Sequence, residues 1–217
     1  MESPQPVQPA SAAQLDALLR ARRTRKVLDG PSLPNAAPGM TARKAFNQAL
    51  QDAIAAAGWV PFHYPSSDRV PEPWRFTVLD RDSLDALVAR FPQLQVGKLP
   101  HILAGAGALV QVTFAAETDP ARLERNLDHH SATAAAAMAL LLALEARGLG
   151  SYWCTARVLD GADLRTWCGI EAHECWIGSL FVGRPLSPER EATEGFAGKQ
   201  AGRRTSPGAG WMRWREA

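Results

Sequence analysis

Residues 128–153 read DHHSATAAAAMALLLALEARGLGSYW, and the fold turns on how this stretch is understood. From Ala132 to Ala143 there is no charge, but the uncharged run is only 12 residues long. A bilayer span needs about 20. Asp128 and His129 bound the run on one side, Glu145 and Arg147 on the other. Its wealth of alanine suits a helix buried on all sides, with neighbours approaching closely. The expectation is a long central helix from Asp128 to Arg147, closed by Gly148, inside a protein core and outside any membrane.

Outward from this helix the pattern is mixed. Toward the N-terminus, Ala108 to Phe114 alternates as a strand, with Ala108, Val110, Val112 and Phe114 on one face. Asp119-Pro120 opens a short helix leading into the long one. Trp74 to Leu79 has the period of a second strand, and Ser83 to Phe91 reads as a helix. An earlier helix is capped by Thr41, with Phe46, Leu50, Ala53, Ile54 and Ala57 as its apolar stripe and Gly58 as a left-handed terminator. Asp29 to Gly39 is turn chemistry throughout. Before it, Ser11 and Gln14 form a capping-box pattern for a first helix carrying Leu15, Leu18 and Leu19. Toward the C-terminus, Asp163 to Cys168 reads as a short helix and Cys175 to Val182 as a strand. Residues 1–10 read as a loose tail, and residues 11–217 as one domain without internal repeats.

Composition narrows the class. The 217 residues are 46% apolar and 21% charged, which excludes wholesale disorder. The 24 basic and 22 acidic side chains leave a net charge of +2, which argues against a nucleic-acid binder. Three cysteines, Cys154, Cys168 and Cys175, match no zinc spacing. No secretory pattern opens the sequence. A reduced, soluble, cytoplasmic protein is expected.

Three segments carry candidate chemistry. Arg20, Arg22, Arg23, Arg25 and Lys26 place five cations within seven residues. Such a run is either a solvated helix terminus or a phosphate clamp, because guanidinium groups fork onto phosphate oxygens. Residues 59–67 (WVPFHYPSS) and 72–76 (EPWRF) bracket a loop longer than a helix-to-strand join requires. Gly148-Leu149-Gly150 after the long helix ends it and lets backbone approach a flat ligand.

In combination these segments resemble the nitroreductase family of FMN-dependent flavoproteins, over about Leu15 to Pro185. Arg22-Arg23-Thr24-Arg25-Lys26 is similar to the family's Arg-Arg-Ser-x-Arg segment, whose side chains hold the FMN phosphate. Residues 56–61 and 72–76 resemble the ends of its Ala-Pro-Ser…Asn-x-Gln-Pro-Trp loop. Asp128 to Trp153 resembles its central helix with a Gly-Leu-Gly-Ser-x-Trp exit, and residues 177–185 (IGSLFVGRP) its last core strand. The resemblance implies an α+β, three-layer fold: a mixed, mostly antiparallel sheet flanked by helices. It implies an intertwined homodimer with FMN at the interface, and NAD(P)H as co-substrate. The implied reaction is a ping-pong hydride transfer to a small nitroaromatic or quinone-like acceptor.

Departures from the pattern define the candidate contacts. With Arg25-Lys26 in register, Arg23 takes the place of the family's small hydroxyl residue. Between Pro61 and Pro73 the chain is about five residues longer, so Phe62 and His63, or Ser66 and Ser67, stand where ribityl contacts belong. Glu72 replaces an amide. In the family a basic pair near the C-terminus often completes the phosphate site, and Arg203-Arg204 is the adjacent candidate. The resemblance thus implies Arg22, Arg23, Arg25, Phe62, His63, Ser66, Ser67, Glu72, Gly148, Leu149, Gly150, Arg203 and Arg204 around FMN, with no catalytic side chain named. A second reading is a binding protein on the same scaffold, holding haem or another planar ligand through His63 or His130. A metal site is not expected, because adjacent His129 and His130 point to different helix faces.

Overall fold

The computed structural model describes residues 11–33 and 40–194. The N-terminal tail, most of the 29–39 turn and Arg203-Arg204 therefore fall outside the described residues. In chain order the elements are α1 (Ala12–Ala21), α2 (Ala42–Ala57), β1 (Trp74–Leu79), α3 (Arg81–Arg90), α4 (Leu99–Gly105), β2 (Ala108–Ala115), α5 (Arg125–Ala146), β3 (Gly150–Cys154), α6 (Ala162–Trp167), β4 (Glu174–Gly183) and α7 (Pro188–Glu194).

The four strands form one antiparallel sheet in the order β1-β2-β4-β3. β2 lies inside it, and all eight of its residues are buried. Strand side chains alternate between faces, so β2 feeds two cores. Val110 and Val112 pack with Phe46 and Leu50 of α2 and with Ala137, Leu140 and Leu144 of α5. Leu109 faces the other way, toward Leu84 and Leu87 of α3, Leu103 of α4 and Leu164 of α6. The result is three layers, helices on both sides of a sheet, as the resemblance implied. Among the described residues the parallel component is confined to isolated bridges, Thr24 with Ser151 and Gly30 with Ala106.

The central helix starts at Arg125, three residues before Asp128, and runs 22 residues. That length would cross a bilayer, yet Ala136, Ala137, Leu140 and Leu144 are fully buried, so in this fold α5 is a core helix. Gly148 closes it with φ +72°, a conformation open to glycine at little cost. The corresponding expectation for Gly58 is corrected. Its φ of −65° and ψ of −14° are right-handed, because the chain tightens, with the Gly58 amide donating to Ile54 and Ala55 carbonyls, and does not reverse.

β3 forms where glycines suggested a helix stop and a close backbone approach. Its partner makes it a strand, with Gly150 opposite Gly183 and Trp153 opposite Leu180. The Trp153 indole lies across Gly178 of β4, where any side chain would collide with its Nε1. The extended segment after α1 runs beside β3: the Arg25 amide donates to Ser151 at 2.9 Å, and farther on Asp29 and Gly30 exchange backbone hydrogen bonds with Arg184.

Candidate functional site

Within that extended segment, neighbouring side chains leave on opposite sides. Arg25 turns inward, and its guanidinium grips Glu145 of α5 with both nitrogens, Nη1 to Oε2 at 2.6 Å and Nη2 to Oε1 at 3.1 Å. The two side chains keep only 11% and 13% of their surface exposed. Lys26 leaves the other way, its Nζ 5.5 Å from the centre of the Tyr152 ring. Tyr152 stacks on Phe181 at 5.9 Å. Burial first, and the neighbouring Cys154 second, push the Tyr152 hydroxyl up to about 12, so it is a neutral phenol at physiological pH. Arg22 is half-buried and Arg23 exposed. Neither has an ion pair or side-chain hydrogen bond among the described residues.

Gly150 is what lets this segment lie against β3. A Cβ there would meet Leu28 Cδ2 at 2.8 Å and Arg25 Cδ at 3.0 Å. Leu149 is buried in the layer of α2 and α5. Gly148 stands exposed in the turn. These three residues shape the end of α5 and the start of β3.

The second cluster is built at the other end of α5. Phe62 meets Trp74 edge-on at 5.7 Å, and His63 lies 4.4 Å from Tyr64, ring centre to ring centre. The Arg125 guanidinium stacks 4.6 Å over Tyr64, pinning the loop to the first residue of α5. Ser66 Oγ lies within hydrogen-bond distance of the Val70 and Glu72 carbonyls at 2.8 and 2.9 Å, and Ser67 Oγ accepts from the Val70 amide at 3.0 Å. Arg75 adds donations to the carbonyls of Glu72 at 2.6 Å and Trp74 at 2.8 Å. The extra residues thus fold into a self-closed loop in which both serine hydroxyls are engaged.

Separation along α5 is the main geometric fact. Arg125 and Glu145 are 20 residues apart on one helix, which at about 1.5 Å per residue is about 30 Å. The structure therefore brings Arg25, Lys26, Gly150 and the end of α5 together, and brings Phe62, His63 and Ser66 together elsewhere. Within one chain the two groups do not converge.

The histidines divide as well. His129 is buried and its Nδ1 lies 2.9 Å from the Ala115 carbonyl, while His130 is exposed and meets Phe114 edge-on at 5.9 Å. Among the described residues no group of three or more His, Cys, Asp or Glu is placed to hold a metal ion. Lys26 is the residue that sequence reasoning left out of the candidate contacts. The signal was the two-residue alternation of an extended segment, which separates Arg25 from Lys26.

Comparison with known proteins follows the same lines. The model of the nitroreductase family matches residues 42–184. No curated protein matches the sequence. Among solved structures, a nitroreductase-like family protein from Bacillus cereus is similar with a TM-score of 0.60 at 16% identity, over 84% of this chain and 90% of that one. The nitroreductase CinD from Lactococcus lactis, in complex with nicotinic acid, gives 0.58 at 16% identity over 81% and 91%. The FMN-dependent nitroreductase NfnB from Mycobacterium smegmatis, in complex with NADPH, gives 0.57 at 15% identity over 81% and 89%. At such identities the likeness is one of fold, and the family is carried by the sequence match, which spans well over half of the residues from the start of α2 to the end of β4: the chain belongs to the nitroreductase family.

Proposed function

We propose that this protein is an FMN-dependent NAD(P)H oxidoreductase that reduces small nitroaromatic or quinone-like acceptors by a ping-pong hydride mechanism. One observation carries the reading. Arg22 and Arg23 present guanidinium groups with no carboxylate partner among the described residues, on a segment fixed to β3. Two forked donors so placed suit a phosphate dianion. In this reading Arg22, Arg23 and Lys26 hold the phosphate end of FMN, and Arg25, committed to Glu145, keeps the segment in position. When bound, FMN supplies the hydride-accepting and hydride-donating chemistry.

The 30 Å between the two clusters (about 20 residues at 1.5 Å each) favours a homodimer, in which the loop of one copy meets the arginine segment of the other. The outward face of α5 supports this. Leu127, Ser131, Ala135 and Met138 form an exposed, uncharged stripe with Asp128 at its edge, and Leu15 and Leu19 of α1 are exposed beside no core of their own. In the dimer, Phe62, His63 and Tyr64 wall the cofactor and shape the space left for the acceptor. NfnB, described as FMN-dependent and solved with NADPH, supports the cofactor and co-substrate. Three unpaired cysteines fit a reducing, cytoplasmic location.

The haem reading finds no support, since His63 and His130 are exposed rings packed on Tyr64 and Phe114. An absorption spectrum of the purified full-length protein tests the proposal. Flavin bands that bleach with NADH or NADPH and return with a quinone are expected. A protein that takes up no FMN when supplied with it, or that shows a Soret band, overturns the proposal.

A further inference from the structure

The first turns of α5 hold two buried polar groups that the protein itself leaves half-satisfied. His129 and Thr133 are 2% and 0% exposed, one helical turn apart on the inward face. The Ala115 carbonyl, 2.9 Å from His129 Nδ1, can only accept, so Nδ1 carries the proton. In the neutral ring Nε2 is then left as an acceptor. That Nε2 and the Thr133 hydroxyl have no hydrogen-bond partner among the described residues.

Buried polar atoms without partners are rare in native proteins because they lose hydration and regain nothing. Side chains four residues apart on a helix have Cβ atoms about 5–6 Å from each other. Side chains so placed on one helix face can reach a small molecule lodged between them. The guest has to donate to an imidazole nitrogen, exchange a hydrogen bond with a hydroxyl, and occupy little more than one atom's volume. Water meets all three demands, and buried waters make two to four such bonds.

We infer that His129 and Thr133 bind one structural water inside the fold. It donates to His129 Nε2 and is bonded by Thr133 Oγ1. The bound water holds the ring as the Nδ1–H tautomer, whose Nδ1–H bond to the Ala115 carbonyl ties the start of α5 to the end of β2. Because Arg125 lies one turn earlier and stacks on Tyr64, the water also steadies the platform on which the aromatic loop rests. The site depends on neither flavin nor dimer, so its failure and the failure of the proposed activity are separable.

A high-resolution crystal structure of the full-length protein tests the inference directly, with long-range nitrogen–proton NMR correlations reporting the tautomer. A spherical density peak within hydrogen-bond distance of both atoms and an Nδ1-protonated ring are expected. No peak, or a ring protonated at Nε2, overturns it. Stability gives an independent sign. Thr133→Val keeps the shape and removes the hydroxyl, so it should lower Tm by about 2–4 °C if the hydroxyl is bonded. An unchanged or higher Tm means the hydroxyl was orphaned and refutes the site. In a His129→Asn background, which keeps a donor toward Ala115 and removes Nε2, the Thr133→Val shift should shrink to less than half. A full-sized shift there also counts against a shared water.

Discussion

Arg25 and Glu145 lie 120 residues apart in sequence and meet in a two-pronged ion pair at 2.6 and 3.1 Å, nearly closed from solvent. The pair joins the segment after α1 to the last turn of α5, so this cation ties the segment in place. Removing one partner of a buried pair strands the other charge and costs about 3–5 kcal/mol. Because an edge of this pair stays wet, Glu145→Gln should cost about 3 kcal/mol, a Tm drop of about 6–12 °C. Replacing both, Arg25→Met with Glu145→Leu, should recover most of that loss in thermal melts.

Arg22→Ala and Arg23→Ala should behave in the opposite manner. Neither guanidinium is bonded within the described chain, so Tm should move by less than about 1 °C, as for ordinary surface substitutions. If the two hold the FMN phosphate as proposed, each substitution removes a charge-assisted bond worth about 1.5–3 kcal/mol and should weaken FMN binding about 10- to 100-fold. Titration of FMN fluorescence measures the change, and free riboflavin, which lacks the phosphate, should be insensitive to either substitution.

Gly178 is the seat of the Trp153 indole, and the seat tolerates no side chain. Gly178→Ala should destabilise by about 1–3 kcal/mol through overpacking. Adding Trp153→Leu opens the space, so the cost of alanine should fall in that background. Denaturant unfolding of the four proteins in the cycle reads the coupling.

Acid should loosen the docking of α7. The Arg190 hydrogen bond holds the Asp29 carboxyl below the usual range, burial opposes it, and Arg184 adds to the lowering. Arg190 Nη1 lies 2.7 Å from Asp29 Oδ1, and Arg184 binds the other oxygen. A carboxyl whose folded pKa is lowered is stabilising above its unfolded value, about pH 3.9, and loses that contribution as pH falls toward the folded value. Asp29→Asn should therefore lower Tm at pH 7 and make little difference at the acid end of a melt series.

Much of the architecture was legible because local signals agreed with the final packing. Ser11 and Gln14 form the capping box their spacing announced. The alternation of Ala108 to Phe114 became β2, and the alanine-rich run became the middle of α5. What escaped was structure imposed from a distance. Gly150 to Cys154 is a strand because β4 pairs with it, whereas Gly148 and Gly150 spoke of a helix exit and a close backbone approach. Pro188–Glu194 forms α7 in a tail without apolar period, docked by Arg190 on Asp29. In the candidate site the cluster of cations was visible, but its division was not. Glu145 claims Arg25 from the far end of the chain, and Ser66 and Ser67 spend their hydroxyls on the loop that carries them.

The bridge between Thr24 and Ser151 has a consequence for how the protein meets its own kind. A sheet order of β1-β2-β4-β3 leaves two rims, and the chain occupies part of the β3 rim with its own residues just after α1. Exposed rims invite foreign strands. Among the described residues the longer stretch of unclaimed backbone is along β1, so that rim offers the larger template to any chain that extends this sheet, whether in assembly or in misassembly.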